Sequence, residues 1–595
     1  MSATADQVAW DLSALFAGVD DPAIERDSTA ALEEAKAFRS RYAGRIADLS
    51  AQELAEAVDE LERIRSTIDR VRLFAQLGFD ANTQDESFAR LLGLARERMT
   101  AVENDLRPFE LEWAALDDAH AADVLGAPEV DRVRHYLESR RRFRPYLLTE
   151  GEERVAAEKA LSGSLAWERL FSELLSSIRV PLDGEEVSLD EARERLRTLT
   201  DKRDREMVAE AITQALEPNI RLRALVLNTV ATDRAIEDGL RGYPSWISER
   251  NLHNEIGDAA AQALIDAVVS RYDVVHRHFR LRAALLGLPK LADYDRFAPV
   301  EEDVTSVDWD DARALAVEAF GGFSPEAGEI VERFFDERWI DAAPRAGKVP
   351  GAYCAMQVAR ANPFILMNFS GSRDSALTLA HELGHGVHAV LATDRGYLNL
   401  DFPLTFVEAA SVFGETLVFQ SLLERATTDR ERLELLVSRI DGAVGTVFGT
   451  VTWNRLEDAV HTLRREHGEL SVEQINEQWE IAARAMNGDA VELTPGFRTW
   501  WSYVPHFVAV PGYMYAYAFG YLLSLSIYER YREQGDVLVE PILDMLRAGS
   551  SDSPDRLAAR LGLDLADPQF WHRGLDAIEQ LVAEAEALAS ASTQT

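Results

Sequence analysis

The chain has 595 residues and a formal charge of −39, with 47% hydrophobic and 28% charged residues. That is the profile of a soluble globular protein, long enough for several cores or one large multi-lobed domain. A polyanion of this size should not seek nucleic acid or an anionic membrane, because phosphate binding needs clustered Lys and Arg; the acidity is read as solubility rather than as steering of cationic substrates.

The start, MSATADQVAWDLSALF, has no basic segment followed by an apolar core, so no secretory signal is expected. The single cysteine, Cys354, excludes an intrachain disulfide and fits a reducing, cytoplasmic setting. From about Ala31 to Leu174 apolar residues recur every three or four positions, which predicts helices. DANTQD, Asp80 to Asp85, breaks that pattern with turn-forming residues. RVPLDGEEVSLDEARERL predicts a small hairpin around Asp183-Gly184, then a helix capped by Ser188 or Asp190. No repeat of fixed period is visible.

Helices are expected to continue to about Leu286, followed by a loop-rich connection through GLPKLADYDRFAPVEEDVTS. GAYCAMQ and PFILMNFSG then read as short strands, aromatic and β-branched residues bounded by glycine, proline and asparagine. The remainder is helical apart from Ala485 to His506, and the tail is expected to be disordered. Phe507 to Tyr528 is uncharged and of membrane-spanning length, yet it carries Pro511, Gly512, Gly520 and five tyrosines. Tyrosines belong at membrane interfaces rather than mid-bilayer, so this segment is read as a buried helix. The fold class is thus mainly α, with a small β-sheet beside the helix considered next. The regions expected are 1–190, helical; 191–585, which holds that helix; and 586–595, a disordered tail.

The helix is LTLAHELGHGVHAVL, starting at Ser372 or Asp374, whose side-chain oxygens can cap free N–H groups. His381 and His385 lie about 40° apart on one helix face, so both imidazoles reach one ion at roughly 2.0–2.1 Å. Glu382 sits one step round, close to a water on that ion. This is the H-E-x-x-H arrangement, in which the glutamate serves as general base. The alternative is a core helix with satisfied histidines; a chance match in such a chain is on the order of a few per cent. Gly384 favours the metal, since a glycine inside a helix costs about 1 kcal/mol and needs a reason, such as close approach of another backbone or a ligand. His388 shares the face but does not fit the metzincin spacing, which wants glycine at 388 and histidine at 391. It is assigned to a supporting or structural place behind the ligands.

A zinc site with an open position needs a third protein donor. Downstream, TFVEAASVFGETLVF puts Glu408 and Glu415 seven apart on an otherwise apolar helix. Carboxylates there should be paired or ligated, because burying a free charge is costly. If this helix runs antiparallel to the first, Glu408 becomes the third ligand and Glu415 the acceptor that orients a ligand histidine. The alternative is a pair of salt-bridged carboxylates.

These residues resemble the thimet oligopeptidase and oligoendopeptidase F family of zinc metallopeptidases. HELGH with His388 three on, EAASVFGE from Glu408 to Glu415, and the length of the intervening loop carry the likeness. AWDLSALF, FDANTQD, ERFFDERWIDAAPRAGKVPGAYC and PHFVAVPGYMYAYAFGY extend it over nearly the whole chain, towards the oligoendopeptidase F branch. The resemblance implies a clam-like, two-lobed helical fold with a deep central channel that admits short, unstructured peptides. It implies one zinc per chain on His381, His385 and Glu408, with Glu382 catalytic. It further implies a late histidine, His506, and tyrosines, Tyr513 and Tyr517, that hold the peptide and stabilise the tetrahedral intermediate. A further family tyrosine falls on Gly520, and Tyr521 is left open as its replacement.

The function expected is therefore a zinc-dependent endopeptidase acting on internal bonds of short peptides. Glu382 would take a proton from the attacking water and return it to the leaving amine. Tyr517 and His506 would donate to the oxyanion, and substrate backbone would pair with GAYCAMQ or PFILMNF, reading backbone more than side chains. The competing readings are a peptidyl-dipeptidase or carboxypeptidase of the same zinc class, and a catalytically inactive peptide-binding protein.

Overall fold

Helices dominate the computed structural model, as sparse glycine and proline predict; it describes residues 5, 8–160, 162–300, 306–357 and 361–592. Along the chain come α1 (Pro22–Tyr42), α2 (Ala51–Ala81) and α3 (Glu86–Ala115). Ser50 and Glu53 form a reciprocal capping box that starts α2, and Asp85 accepts the Ser87 and Phe88 amides at the start of α3. DANTQD is thus the break between two long helices.

The strands β1 (Arg179–Leu182) and β2 (Glu185–Ser188) pair antiparallel. Asp183 and Gly184 both adopt positive φ, 55° and 86°, the backbone that a two-residue turn of this hand requires. Ser188, not Asp190, caps the following helix by accepting the Glu191 amide. After α4 (Ser248–His253), β3 (Ile340–Asp341), β4 (Tyr353–Ala355) and β5 (Phe364–Leu366) form a three-stranded sheet with β5 in the middle. β5 runs parallel to β3 and antiparallel to β4, so β4 is an edge. The site helices follow, α5 (Arg373–Ala392) and α6 (Leu404–Arg425), then α7 (Thr450–His467), α8 (Tyr515–Gln534) and α9 (Pro568–Ser592).

The chain forms two compact units, neither of them continuous. The first is Met1–Pro145, Val304–Leu422 and Arg530–Asp564; the second is Tyr146–Asp303, Leu423–Glu529 and Leu565–Thr595. The boundary expected at 190/191 lies inside the second unit, because the chain leaves the first unit at Pro145 and returns at Val304. The tail expected to be disordered is helical through Ser592 in α9, whose Ile578, Val582 and Ala585 are buried at helical spacing; residues 593–595 lie outside the described ones.

In the first unit Trp10, Phe16, Phe74 and Leu77 pack with Phe364 and Leu366, so β5 is seated on the N-terminal helices. The Tyr353 hydroxyl donates to Asp80 Oδ2 at 2.7 Å, which ties β4 to the end of α2. Buried Lys348 bridges Asp341, the carbonyls of Asp341 and Ala343, and the Met367 carbonyl, closing the sheet beside α5. In the second unit the hairpin residues Val180 and Val187 share a core with Trp479, Phe497, Trp501 and Phe507. There α8 is buried at nearly every position from Tyr515 to Tyr528, as expected of the apolar run. One helix among the described residues, α6, is long and apolar enough to cross a membrane by length and composition, and it is mostly buried.

Candidate metal centre

α5 begins where Ser372 accepts the Ser375 amide and Ser375 reaches back to the Ser372 amide. Of the two caps expected, Ser372 is the one used. From that start, residues 381, 384, 385 and 388 project from neighbouring turns of one helix.

Contacts between α5 and α6 run in opposite chain directions, so the helices are antiparallel. His381 meets Glu415, Gly384 meets Ser411, and His385 meets Glu408. His381 Nε2 lies 3.2 Å and His385 Nε2 3.8 Å from Glu408 Oε2, and one donor atom from each residue lies within 4.8 Å of the others. The Ser411 hydroxyl donates to the same Glu408 oxygen at 2.9 Å, which fixes its rotamer. His381 Nδ1 is 3.2 Å from Glu415 Oε2. A proton on Nδ1 donates to Glu415; without a metal a second proton on Nε2 meets Glu408, and a bound ion would take that proton's place.

Gly384 makes this possible. A Cβ there would meet the Ala410 carbonyl oxygen at 2.5 Å and Ser411 Cα at 2.7 Å, both backbone atoms of α6. The glycine within the helix is therefore explained by the backbone that crosses it.

Burial dominates the electrostatics. It disfavours the charged form of His381, but hydrogen bonds to Glu408 and Glu415 outweigh it and hold the pKa above the ordinary value. Burial pushes the Glu408 carboxyl up, and His381 and His385 more than offset this, bringing it down to about 2. His385 is pushed down to about 4 by burial and by the neighbouring His381; its Nδ1 has no aligned hydrogen bond, although the Val407 carbonyl is near. Two imidazoles and an ionised carboxylate, converging within 4.8 Å, are a donor set that fits a divalent ion of the zinc type.

Glu382 is 6% exposed and stands outside the three-donor cluster. Burial raises its pKa to about 7, with the His381 charge opposing and the Glu408 charge adding. The Cys354 backbone amide on the edge strand β4 lies near enough to favour the charged form somewhat, while Oε2 has no protein partner. That amide was not foreseen: the strand was legible, but its neighbour across the fold was not. His388 is fully buried against Phe402, ring centroids 4.1 Å apart, with Phe406 beyond, and neither ring nitrogen has a protein partner. Burial pushes its pKa down to about 3, so it stays neutral.

The remaining expected residues lie in the second unit and form a group of their own. His506 Nε2 is 3.3 Å from the Tyr517 hydroxyl, and the Tyr513 and Tyr517 rings meet edge-on with centroids 4.8 Å apart. The His506 and Tyr513 rings are nearly parallel at 6.1 Å. Burial lowers the His506 pKa, which favours the neutral ring. Tyr521 is buried under the Arg439 guanidinium, 5.3 Å from its ring, and so does not join this group.

Two helices delivering H-E-x-x-H histidines and a downstream carboxylate to one point are the framework of a metallopeptidase. A model of peptidase family M3 matches residues 326–577, and one described as oligopeptidase F matches residues 112–179. The chain is 25% identical over 589 residues to the group B oligopeptidase PepB of Streptococcus agalactiae serotype III, covering 97% of this chain and 96% of that one. It is 24% identical over 559 residues to the oligopeptidase PepF of Bacillus subtilis, covering 92% of this chain and 83% of that one. The crystal structure of oligoendopeptidase-F from Enterococcus faecium superposes with a TM-score of 0.72 at 23% identity, over 95% of this chain and 98% of that one, and shows the same fold. The chain belongs to peptidase family M3, and its likeness is to the oligoendopeptidase F branch.

Gly384→Ala should force α5 and α6 apart, since neither contacting backbone atom can rotate away. Overpacking of this kind typically costs about 1–3 kcal/mol. Thermal unfolding and metal titration should both register it; a wild-type melting point with wild-type metal affinity would mean that the close approach is not required.

Proposed function

We propose that this protein is a zinc-dependent endopeptidase that hydrolyses internal bonds of short, unstructured peptides. The observation that carries the reading is the convergence of His381, His385 and Glu408 beside a buried Glu382 whose carboxyl titrates near neutrality. Zinc on the three donors would lower the pKa of a water towards roughly 7 and offset developing negative charge.

The chain's own residues do the rest. Glu382 accepts the proton of the attacking water at Oε2, its oxygen without a protein partner, and returns it to the leaving amine. A pKa near 7 suits both transfers, because neither protonation state is costly at neutral pH. Glu415 holds the His381 ring through Nδ1. Between the two strands considered for pairing with substrate backbone, β5 is flanked on both sides, which leaves the edge β4. Its Cys354 amide lies near Glu382, so pairing along β4 would bring a peptide close to the base. His506 and Tyr517, already hydrogen-bonded to each other, are assigned to the substrate carbonyl, on their match to the family's late histidine and tyrosine. Tyr513 packs against both and shares in holding the peptide. A cytoplasmic location goes with this reading.

Hydrolysis of a short-peptide library should stop with a chelator and return with zinc; an end-blocked peptide should still be cut, which an exopeptidase would not do. Glu382→Gln should keep its zinc and lose nearly all turnover, and appreciable kcat in that variant would remove Glu382 from the role of base. Glu408→Ala should lose metal; one full zinc per chain, measured by atomic absorption, would point to another third ligand. Tyr517→Phe should lower kcat more than it raises KM, on the order of 100-fold for an oxyanion donor, whereas a pure KM effect would make it a binding residue only.

A further inference from the structure

Tyr513 precedes α8 and Tyr517 lies in its first turn, and one peptide plane just ahead of them is gripped from both sides. The plane joins Pro511 to Gly512. Its carbonyl accepts Arg250 Nε of α4 at 3.2 Å, and its N–H donates to Glu457 Oε1 of α7 at 2.6 Å. In a trans peptide these two groups point in opposite directions, so the two contacts together fix the plane's rotation. Gly512 then takes a φ of +78°, and a Cβ there would come within 3.2 Å of Arg250 Cβ. Three residues on, the buried Tyr515 hydroxyl accepts from Asn254 at 2.8 Å and donates to Asn251 at 2.6 Å, so α4 and its flank hold the segment at a second point.

Glu457 is 2% exposed, and its second oxygen, Oε2, has no protein partner. The charged groups facing it are Arg250 of α4, Arg234 of helix Ile220–Arg241, and Asp458 beside it on α7, and among the described ion pairs none is made to its carboxyl. A buried carboxyl without a salt bridge is costly unless its acceptor atom is needed. Burial pushes its pKa up to about 8, so at neutral pH it is an uncharged acid with an accepting oxygen. Its place is fixed by Trp246, which donates to Asp458 at 2.9 Å and stacks on His461, one turn further along α7, at 4.5 Å.

We propose that Glu457 is a positioning residue: by holding the Pro511–Gly512 plane it sets the place of Tyr513, and through it the Tyr517–His506 pair. This rests on the reading that His506 and Tyr517 hold the substrate peptide.

The test uses the full-length, zinc-loaded enzyme and the variants Glu457→Leu, Glu457→Gln and Tyr517→Phe. Glu457→Leu should lower kcat by about 10-fold or more while KM moves less than about 3-fold, with zinc content and melting point close to wild type. Glu457→Gln, whose amide oxygen accepts the same N–H, should recover kcat to within about 3-fold of wild type. The Glu457→Leu, Tyr517→Phe double variant should be no slower than the slower single variant, because both changes act through one donor. If Glu457→Leu turns over like wild type while Tyr517→Phe is impaired, the positioning role is wrong. If Glu457→Gln is as slow as Glu457→Leu, it is wrong as well. If Tyr517→Phe is also silent, the peptide-holding reading itself falls and the positioning role with it. Should Glu457→Leu fail to fold, Gly512→Ala replaces it: the strained φ should lower kcat in a folded, zinc-loaded protein, and wild-type kcat there would overturn the proposal.

Discussion

The metal centre depends on two helix backbones touching. α5 and α6 approach until the Ala410 carbonyl and Ser411 Cα occupy the space where a Gly384 side chain would be. At an ordinary interhelical distance of about 8–10 Å, side chains fill the gap; here a glycine lets one backbone meet the other instead. The approach costs helix propensity at Gly384, about 1 kcal/mol, and Gly414 on α6 faces the Ala380 carbonyl in the same way. The same contact that seats Glu408 below the histidines also brings Glu415 to the back of His381. Ligand and ligand-orienting group are therefore set by one helix pair.

Burial gives these groups their properties. Glu382, one step round the helix from the candidate ligands, is buried, with the His381 charge opposing the effect of burial and the Glu408 charge adding to it, so its proton is held near neutrality. Glu408, at similar depth, is held ionised by the histidines it faces. Two carboxyls on adjoining helices are thus shifted in opposite directions by their neighbours. That contrast is what the proposed roles need: an anion to face a cation, and a carboxyl able to take and release a proton.

Much of this was legible in the chain, and where it was not the reason is physical. Signals that act within a few residues carried through: Asp183-Gly184 turned a hairpin, Ser188 and Ser372 capped helices, and His381 and His385 fell on one face with Glu382 one step round. Glu408 and Glu415 were legible because a seven-residue spacing on an apolar helix leaves few reasons for two carboxylates. Gly384 was legible as a cost that needed a partner, though not which backbone would supply it. Contacts set by the path of the chain were hidden. Nothing local indicates that residues 1–145, 304–422 and 530–564 share one unit, that the Cys354 amide meets Glu382, or that Glu457 meets Gly512. The helical end at 586–592 was not legible, because that stretch is small and polar and the buried Ile578, Val582 and Ala585 all precede it.

The two functional groups are built by different means. The candidate metal ligands stand on regular helices, where backbone hydrogen bonds already fix each Cα and only the rotamer remains to be set; Ser411 and Glu415 set it for Glu408 and His381. Tyr513 stands ahead of α8, where the backbone has no such ladder and a turn with positive φ must be held from outside. A loop side chain placed to the tolerance that catalysis needs, about 0.5 Å, requires its peptide planes fixed as well as its rotamer. Arg250 and Glu457 supply that fixation at one plane, and Asn251 and Asn254 at the next tyrosine. This explains why a carboxyl is retained in the core of the second unit, where a leucine would pack at lower cost: the Gly512 N–H, buried and unable to reach water, would otherwise have no acceptor.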